Sequence, residues 1–396
     1  LRMGAHGSHH APKREDFPNL NVEQLTALQA IVRQHTDDYI IDEKTMKALF
    51  PVWGDYAKVA FENLHKLESC EKGKLPLGVL VQQANLLEGI SSEQAEALTN
   101  LWGNQWCEAL VHSSRVALEL SAQDEQALMS ILKHEKSSNL ANLITANRLA
   151  SDLVHFPFRH LLGESKSAHA TLIGNTRLMN NAHRAVLRSY LPIEFRKEWK
   201  LLFSSNEHGS SFAQLTQRVD KHGPVFVIVR STKGRVFGCY ASHGFVVGPQ
   251  YRGDTRCFLF TLSPELRVYE PTGFTDKYCY LNIGQETLSN GLGIGGSGSV
   301  WPFFLKEEYG KGLACAHSSN FEKCDLAGEQ DFDVDTIEVW RVGPEPAHLV
   351  KSKSVLDKDP QAAALLELSG KAMHSEAFRE PAPLLAEEEE EHDTKF

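Results

Sequence analysis

The first part of the chain repeats one helical pattern, in which a polar capping residue precedes apolar residues spaced three and four positions apart. Asn21 and Gln24 have the spacing of a capping box, and Ser91 or Ser92 and Ser121 stand where two further helices would begin. An apolar stripe follows each start, as expected for helices that bury one face. The stripes are Leu25, Leu28, Ile31 and Val32; Ala95, Leu98, Leu101 and Trp102; and Leu128, Ile131 and Leu132.

A second pattern begins at Val225, where apolar residues come in short runs separated by turn residues. Val225–Arg230 is apolar and β-branched almost throughout, which predicts a central strand buried on both faces. The turn Thr232–Gly234 then leads into the next apolar run and predicts a hairpin. Short strands at this spacing favour a β-sandwich. Later runs of the same kind are Cys257–Leu262, Arg267–Pro271 and Tyr278–Asn282.

Between the two patterns lies Leu191–Phe212, around which we expect the second half to be organised. Pro192 suits the first turn of a helix, and residues 204–211 are small and polar, which predicts a loop. A second short helix should begin at Phe212 and end before Gly223. Three apolar residues fall on one face of the first predicted helix: Phe195, Trp199 and Leu202.

Five motifs in a fixed order give the chain a resemblance to a known family. The resemblance is to the TLDc domain, and it implies two antiparallel sheets flanked by helices. The motifs are W-x-LLFSS-x-x-HG-x-SF-x-x-L (Trp199–Leu215), FGCYAS (Phe237–Ser242), FLFTLSP (Phe258–Pro264), GLGIGG (Gly291–Gly296) and IEVWRVG (Ile337–Gly343).

These patterns and the resemblance predict an α+β protein. An all-helical N-terminal region precedes a TLDc two-sheet antiparallel β-sandwich flanked by helices, and a C-terminal helix follows. The predicted boundaries are 1–18 for a flexible N-terminus, 19–163 for an EF-hand-like helical region, 175–345 for the TLDc domain, 346–380 for a C-terminal segment with a helix, and 381–396 for an acidic tail.

The predicted C-terminal helix carries the candidate partner-binding residues. Asp359 and Pro360 form a start signal, and the helix that follows is short enough to be marginal without packing. Leu365, Leu366 and Leu368 cannot all face one side of it. Either the helix packs on its own TLDc domain or it docks in the groove of a partner.

Charge excludes one class of partner. The formal net charge is −10, and Glu380–Phe396 carries seven acidic residues against one lysine. The rest of the chain is nearly neutral and has no basic cluster, so we do not expect nucleic-acid binding. No apolar run has the length of a bilayer span, and no charged segment followed by an apolar one opens the sequence, so we expect neither a membrane span nor a secretory signal. Seven scattered cysteines predict a reducing cytosolic environment rather than a disulfide framework.

A lipidation motif lies near the start of the chain. We expect Met3 to be the natural first residue, and the sequence MGAHGS that begins there fits the M-G-x-x-x-S pattern for myristoylation of Gly4. A single myristoyl chain binds a membrane only marginally, so a partner or a second signal would be required.

Two groups of residues have the chemical types of a metal site, and neither has the full pattern, so we expect no bound metal. An EF-hand loop needs oxygen ligands at alternate positions and a glycine at the sixth, and a structural zinc site needs four ligands. The groups are Asp37, Tyr39 and Ile41 in one predicted loop, and Cys315, His317 and Cys324.

Gly291, Gly293 and Gly296 match the G-x-G-x-x-G pattern of dinucleotide sites. That interpretation requires a strand before the glycines and a helix after them, whereas Pro302 and several β-forming residues follow here. We therefore expect closely packed backbone at these glycines and no cofactor.

Four polar residues have the types used in acid–base or nucleophilic catalysis. Nothing in the sequence places a nucleophile next to a base, so ordinary loop polarity is the preferred interpretation. The residues are Glu207, His208, Ser210 and Asp254.

Two hypotheses about function follow. The resemblance implies a non-enzymatic regulator, because TLDc proteins bind the cytosolic sector of the vacuolar proton pump (V-ATPase). One branch, whose end resembles Ser354–Glu380, acts with mTOR signalling components at lysosomes. The expected location is cytoplasmic, peripheral on the cytosolic face of the lysosomal membrane, with the N-terminal lipid on the membrane surface.

The alternative is a cysteine-dependent enzyme of oxidant defence, since the family is linked to oxidation resistance. Cys239 or Cys257 would be the nucleophile. Such an enzyme needs an exposed thiolate of low pKa, whereas both cysteines stand in apolar strands.

Overall fold

Helices build the chain up to residue 163. The structure is a computed structural model, and it describes residues 12–36, 38–67, 73–134, 139–163 and 168–346. The helices of this region are α1 (Val22–Arg33), α2 (Glu43–Leu49), α3 (Tyr56–Leu67), α4 (Leu77–Leu87), α5 (Ser91–Trp102), α6 (Trp106–Ser114), α7 (Ala122–His134), α8 (Leu140–Ala146) and α9 (Arg148–Leu153).

Two of the predicted helix starts are confirmed by their capping hydrogen bonds. The Asn21 side chain accepts from the Gln24 N–H at 2.8 Å, and the Gln24 side chain accepts from the Asn21 N–H at 3.0 Å. Ser121 and Asp124 form the same reciprocal pair at the start of α7. Local sequence is sufficient here because both partners lie within one turn of the helix.

The predicted cap of α5 is wrong by one or two residues. Ser91 is already the first helical residue, Ser92 is the second, and Ile90 occupies the capping position. The Glu93 carboxylate accepts from the Ile90 N–H at 3.1 Å and provides the capping contact that an Ile90 side chain cannot.

The first four helices form two helix–loop–helix units joined through their loops. Strands β1 (Ile40–Ile41) and β2 (Leu75–Pro76) pair antiparallel between the loops, as in paired EF-hands. The loop residues make structural contacts. Ile41 is fully buried, and the Tyr39 hydroxyl accepts a hydrogen bond from Arg33 Nε at 2.9 Å.

Strands dominate from residue 171 onward. Three α-helices accompany them in the described part, up to residue 346: α10 (Asn181–Ser189), α11 (Ser205–His208) and α12 (Phe212–Val219). The strands are β3 (Thr171–Ile173), β4 (Glu198–Ser204), β5 (Val225–Ser231), β6 (Val236–Ala241), β7 (Gly248–Arg252), β8 (Phe258–Ser263), β9 (Arg267–Tyr269), β10 (Cys279–Asn282), β11 (Gly291–Ile294), β12 (Phe303–Lys306), β13 (Lys311–Leu313) and β14 (Asp331–Val342).

The predicted sandwich is present, and its two halves share one strand. The ladder runs β10-β11-β12-β13-β14-β5-β6-β8-β9 with antiparallel pairing throughout, and β4 pairs with β14 while β3 pairs parallel with β4. The start of β14 pairs with β13, and the rest of it pairs with β4 and β5. Phe237 of β6 contacts Phe303 of β12 at 6.2 Å between ring centroids, so the two halves face each other.

Strand β5 is central and buried on both faces, as the sequence predicts. Val225, Val227 and Val229 lie in the cluster between the two halves of the sandwich. Phe226 and Ile228 lie in the cluster on the opposite face, under α10. The hairpin from β5 to β6 is also confirmed.

The predicted helix over Leu191–Phe203 is wrong. Only the 3₁₀ turn Ile193–Phe195 is helical, and Trp199 and Leu202 belong to β4. The predicted loop over 204–211 contains the short helix α11, whereas the helix that starts at Phe212 is confirmed. The apolar spacing is helical, but pairing of β4 with β14 selects the strand, in which Trp199 and Leu202 are buried on opposite faces of the sheet.

Helix α10 joins the helical region to the sheet. Ala182, Ala185 and Val186 belong to the core of the helical region, and Leu187 belongs to the cluster against the sheet. The described residues up to Gly343 lie in one compact unit, Leu1–Gly343. The second unit, Pro344–Phe396, is described only to Pro346.

Several predictions lie outside the described residues. These are the lipidation of Gly4, the C-terminal helix with Leu365, Leu366 and Leu368, and the acidic tail. Within the ranges that are described, no helix combines the length and the apolarity needed to span a bilayer.

Candidate functional site in the sheet domain

An ion cluster fastens the sheet domain to the helical region. Asp152 of α9 bonds to Arg188 of α10, and its Oδ1 atom lies 2.8 Å from Nη1 of Arg196. The three side chains are mostly buried. Two cations therefore share one anion in a partly dry setting, where removal of the anion is costly.

Further hydrogen bonds connect the helical region and the sheet domain at this boundary, which we call the joint. The Ala168 N–H donates to the Ala117 carbonyl at 2.9 Å, and the Asn181 amide donates to the Glu119 carbonyl at 2.7 Å. His169 hydrogen-bonds to the Leu118 carbonyl through Nε2. The joint is thus continuous and polar.

A fully buried carboxylate, Glu338, lies on the face of β14 that is turned towards α10, opposite Ile228 of β5. Its oxygens accept from the Thr176 hydroxyl at 2.8 Å, the Arg177 N–H at 2.7 Å and the Trp340 indole N–H at 3.0 Å. Glu338 was not among the predicted site residues, although a lone acid in the apolar run IEVW is the kind of signal that marks such a group.

The structure does not bring the residues with catalytic side-chain types together into one site. His208 accepts at Nδ1 from the Ser204 N–H at 3.0 Å and stacks on Phe203. Glu207 and Ser210 are exposed on the same turn. Asp254 lies in a different loop, between β7 and β8, where it binds other residues.

The loop of Asp254 instead contributes to a cluster around two cysteines. Burial raises the pKa of Asp254, but hydrogen bonds from Arg256 and Ser242 outweigh burial and lower this pKa to about 2. The Ser242 hydroxyl lies 3.2 Å from the sulfur of Cys257, which lies 3.7 Å from the sulfur of Cys279. Cys279 was missed by the sequence analysis because its proximity to Cys257 depends on the fold of the sandwich.

Cys239, the other candidate nucleophile, is an unreactive core residue. It lies fully buried in β6, and burial raises its pKa well above the ordinary thiol value. A thiol in this state does not supply the thiolate that nucleophilic attack requires.

The glycine-rich segment is closely packed, as predicted. A Cβ atom at Gly293 would stand 2.4 Å from a ring carbon of Phe304 and 2.8 Å from the Phe303 carbonyl oxygen. The segment forms β11 and continues through a turn into β12, so the helix that a dinucleotide site requires does not follow.

Cys315, His317 and Cys324 occupy different environments. Cys324 is buried, and burial raises its pKa to about 12, whereas Cys315 is half-exposed. In the parts of the chain that the structure describes, no group of three or more potential ligands has the arrangement of a metal site.

Exposed aliphatic residues gather on the loops that flank β11. Ile283 and Leu288 lie between β10 and β11, and Val300 lies before β12. The two loops touch, because the Ser289 hydroxyl donates to the Gly298 carbonyl at 3.2 Å. We call these two loops, which expose Ile283, Leu288 and Val300, the aliphatic loops.

Comparison with known families and proteins identifies this part of the chain. A sequence profile described as the TLDc domain matches residues 172–343. The chain contains a TLDc domain. The resemblance drawn from the five motifs is thereby confirmed, and the domain begins at β3 and ends with β14.

Relatives with this TLDc domain carry names linked to signalling. The chain is 46% identical over 199 residues to MTOR-associated protein MEAK7 of Gallus gallus, which covers 49% of this chain and 42% of the relative. It is 43% identical over 198 residues to the Homo sapiens protein of that name, covering 49% and 43%. A more distant relative, Nuclear receptor coactivator 7 of Homo sapiens, is 28% identical over 181 residues, which covers 45% of this chain and 18% of the relative.

These matches cover less than half of the length of those relatives. They show a TLDc domain within this chain and similarity to proteins named for association with mTOR or for coactivation.

Proposed function

We propose that the protein is a non-enzymatic adaptor that regulates the V-ATPase at the cytosolic face of the lysosome and takes part in mTOR signalling. The similarity to MTOR-associated proteins, at 43–46% identity over half of this chain, is the observation that carries the proposal. The V-ATPase as partner follows from the behaviour expected of TLDc proteins.

The environments of the candidate catalytic residues support an adaptor over an enzyme. His208 and Asp254 each have their own separate partners, and Cys239 is held as a buried thiol. Cys257 is fully buried, so an enzyme that used it would need repeated opening to admit substrate. The alternative of a cysteine-dependent oxidant-defence enzyme is therefore the weaker candidate.

A pull-down from lysosomal membranes tests the adaptor. Full chain and a chain ended at Pro346 are incubated with the membranes, and the eluates are probed for V-ATPase subunits and for mTOR. Equal capture of the pump by both would assign the contact to residues 1–346, which hold the helical region and the TLDc domain. Capture by the full chain alone would assign it to the segment that carries Leu365, Leu366 and Leu368. Capture by neither contradicts the proposal.

Surface variants then locate the contact on the domain. Leu288→Asp with Val300→Asp places charge on the aliphatic loops, and Val116→Asp, at an exposed site in the helical region, is the matched control. We expect loss of pump capture with the first variant and normal capture with the control, because charged side chains are unfavourable in the core of a protein interface. Equal capture by both would place the contact outside the aliphatic loops.

Membrane attachment is tested separately. A chain that starts at Met3 is expressed with an alkyne analogue of myristate, next to its Gly4→Ala variant. Label on the first chain alone supports lipidation of Gly4, and absence of label on both contradicts it.

A further inference from the structure

Two thiols that the proposed function does not use lie together inside the TLDc domain. The sulfur atoms of Cys257 and Cys279 are 3.7 Å apart. Cys257 directly precedes β8, and Cys279 is the first residue of β10, so the pair spans the two halves of the sandwich. A disulfide has a sulfur–sulfur distance of about 2.05 Å, which a small side-chain movement would reach from here.

The surroundings make Cys257 the more easily ionised thiol of the pair. Its sulfur receives the Ser242 N–H at 3.4 Å and lies 3.2 Å from the Ser242 hydroxyl. Burial raises the pKa of Cys257, but hydrogen bonds from Cys279 and Ser242 outweigh burial and lower this pKa below the ordinary thiol value. Burial and the hydrogen bond to Cys257 raise the pKa of Cys279. Cys257 is thus the nucleophile and Cys279 the second thiol.

The backbone of Gly253 packs against both sulfur atoms. A Cβ atom at Gly253 would stand 2.9 Å from the Cys279 sulfur and 3.1 Å from the Cys257 sulfur, so this glycine covers both. Gly253 is itself only half-buried, and the next residues, Thr255 and Arg256, are exposed. A small displacement of this loop would admit a small oxidant, whereas a large substrate would need a much wider opening.

We propose that Cys257 and Cys279 are a redox-sensing pair that forms a reversible disulfide when the protein meets hydrogen peroxide. The Cys257 thiolate attacks one peroxide oxygen, the O–O bond breaks, and the leaving hydroxide takes up the thiol proton as water. Cys279 then attacks the sulfur of the resulting sulfenic acid. The S–S bond forms, the S–O bond breaks, and the second water leaves with the proton of Cys279. Two thiols lose two electrons, and one peroxide becomes two water molecules.

The disulfide would act on the end of the ladder. Strand β10 lies at one end of the ladder, where Leu281 forms a single bridge with Val247, and the loop that follows β10 carries Ile283 and Leu288. A covalent bond from the first residue of β10 to β8 restricts how this end can move. Oxidation therefore changes the half of the domain that carries the aliphatic loops. This inference does not depend on whether the V-ATPase is the partner.

Peroxide treatment with peptide mapping tests the pair. The full chain carries Cys70→Ser and Cys315→Ser, which removes one cysteine outside the described residues and the half-exposed one. After treatment and alkylation in denaturant, we expect Cys257 and Cys279 to resist alkylation together. Mapping should find one peptide in which they are linked, and dithiothreitol should restore both thiols.

Single variants assign the roles. Cys279→Ser should stop at a sulfenic acid on Cys257, which a dimedone probe traps, and Cys257→Ser should slow oxidation of Cys279 at least about tenfold. Cys239→Ser is the control and should keep the disulfide. The proposal is overturned if both thiols alkylate fully after treatment of the natively folded parent chain, or if mapping links a different pair. Should Cys257→Ser fail to fold, the map of the parent chain still decides.

Discussion

Asp152 accepts a hydrogen bond from Arg196 across the boundary between the helical region and the TLDc domain, with 2.8 Å between Oδ1 and Nη1. Arg188 shares the same carboxylate. The guanidinium groups of Arg188 and Arg196 thus share the single carboxylate of Asp152 in α9. This arrangement explains why the helical region and the domain form one compact unit.

Replacement of that anion should destabilise the folded chain strongly. Asp152→Ala leaves Arg188 and Arg196 partly buried without a counter-charge, and we expect the free energy of unfolding to fall by about 3–5 kcal/mol. Urea denaturation measures this. Asp335→Ala is the control, because Asp335 pairs with Arg230 in an exposed setting and should matter by less than about 1 kcal/mol. Equal losses in the two variants would show that the joint is not the cause.

Glu338→Gln tests the buried carboxylate of β14. The substitution keeps the shape but directs an amide N–H₂ towards the donors of Thr176 or Trp340, so a buried donor loses its acceptor. We expect a loss of about 1–3 kcal/mol in the free energy of unfolding, measured by thermal or urea denaturation. Glu322→Gln, at an exposed position, should leave stability unchanged. A stability of Glu338→Gln equal to that of the control would contradict the role assigned to Glu338.

Gly293→Ala tests the close packing of the glycine-rich segment. The new methyl group would stand 2.4 Å from the Phe304 ring and 2.8 Å from a carbonyl oxygen, so ring and backbone must move. Overpacking of this kind should cost about 1–3 kcal/mol of stability. Gly78→Ala in α4 meets no atom within 4 Å and should be neutral or stabilising by up to about 1 kcal/mol. Tolerance of alanine at both positions would refute the packing interpretation.

Stability should fall as the solution becomes acidic, partly through His169. Burial, assisted by the charge of Arg184, lowers the pKa of His169 to about 4 from an ordinary value of 6.5. Between these two values the unfolded chain binds a proton that the folded chain does not, so acidification favours unfolding there. The contribution is present above about pH 6.5 and is lost progressively down to about pH 4.

His169→Asn should flatten this part of the pH profile, because asparagine keeps a hydrogen-bond donor and does not titrate. Denaturation midpoints measured from pH 7 to pH 4 give the profile. His35→Asn, at an exposed histidine, is the matched control and should retain the slope of the parent chain. If both variants keep that slope, His169 is not responsible.

Local sequence predicted the elements whose decisive contacts are local. The capping pair Asn21–Gln24, the helix start at Ser121 and the strand Val225–Arg230 could be identified in advance. The α+β class and the TLDc sandwich are also confirmed. The clearest error concerns Trp199 and Leu202, whose spacing suits a helix and whose structure is a strand.

The candidate site was less predictable than the fold. Cys257 was recognisable as a candidate, but its neighbours Ser242 and Cys279 were not. Asp152, Arg188 and Arg196 likewise carry no shared motif. Each of these groups joins residues from different elements, and a one-dimensional pattern contains no information about such distances.

The sequence by itself determined where α1 and α7 begin, where β5 runs, and which domain family residues 172–343 match. Those features depend on residues a few positions apart or on motifs in a fixed order. Only the tertiary structure decided that Glu198–Ser204 is a strand and that Cys257 meets Cys279. The physical reason is common to both: the backbone hydrogen bonds of β14 and the closure of the two sandwich halves come from chain segments that are distant in sequence.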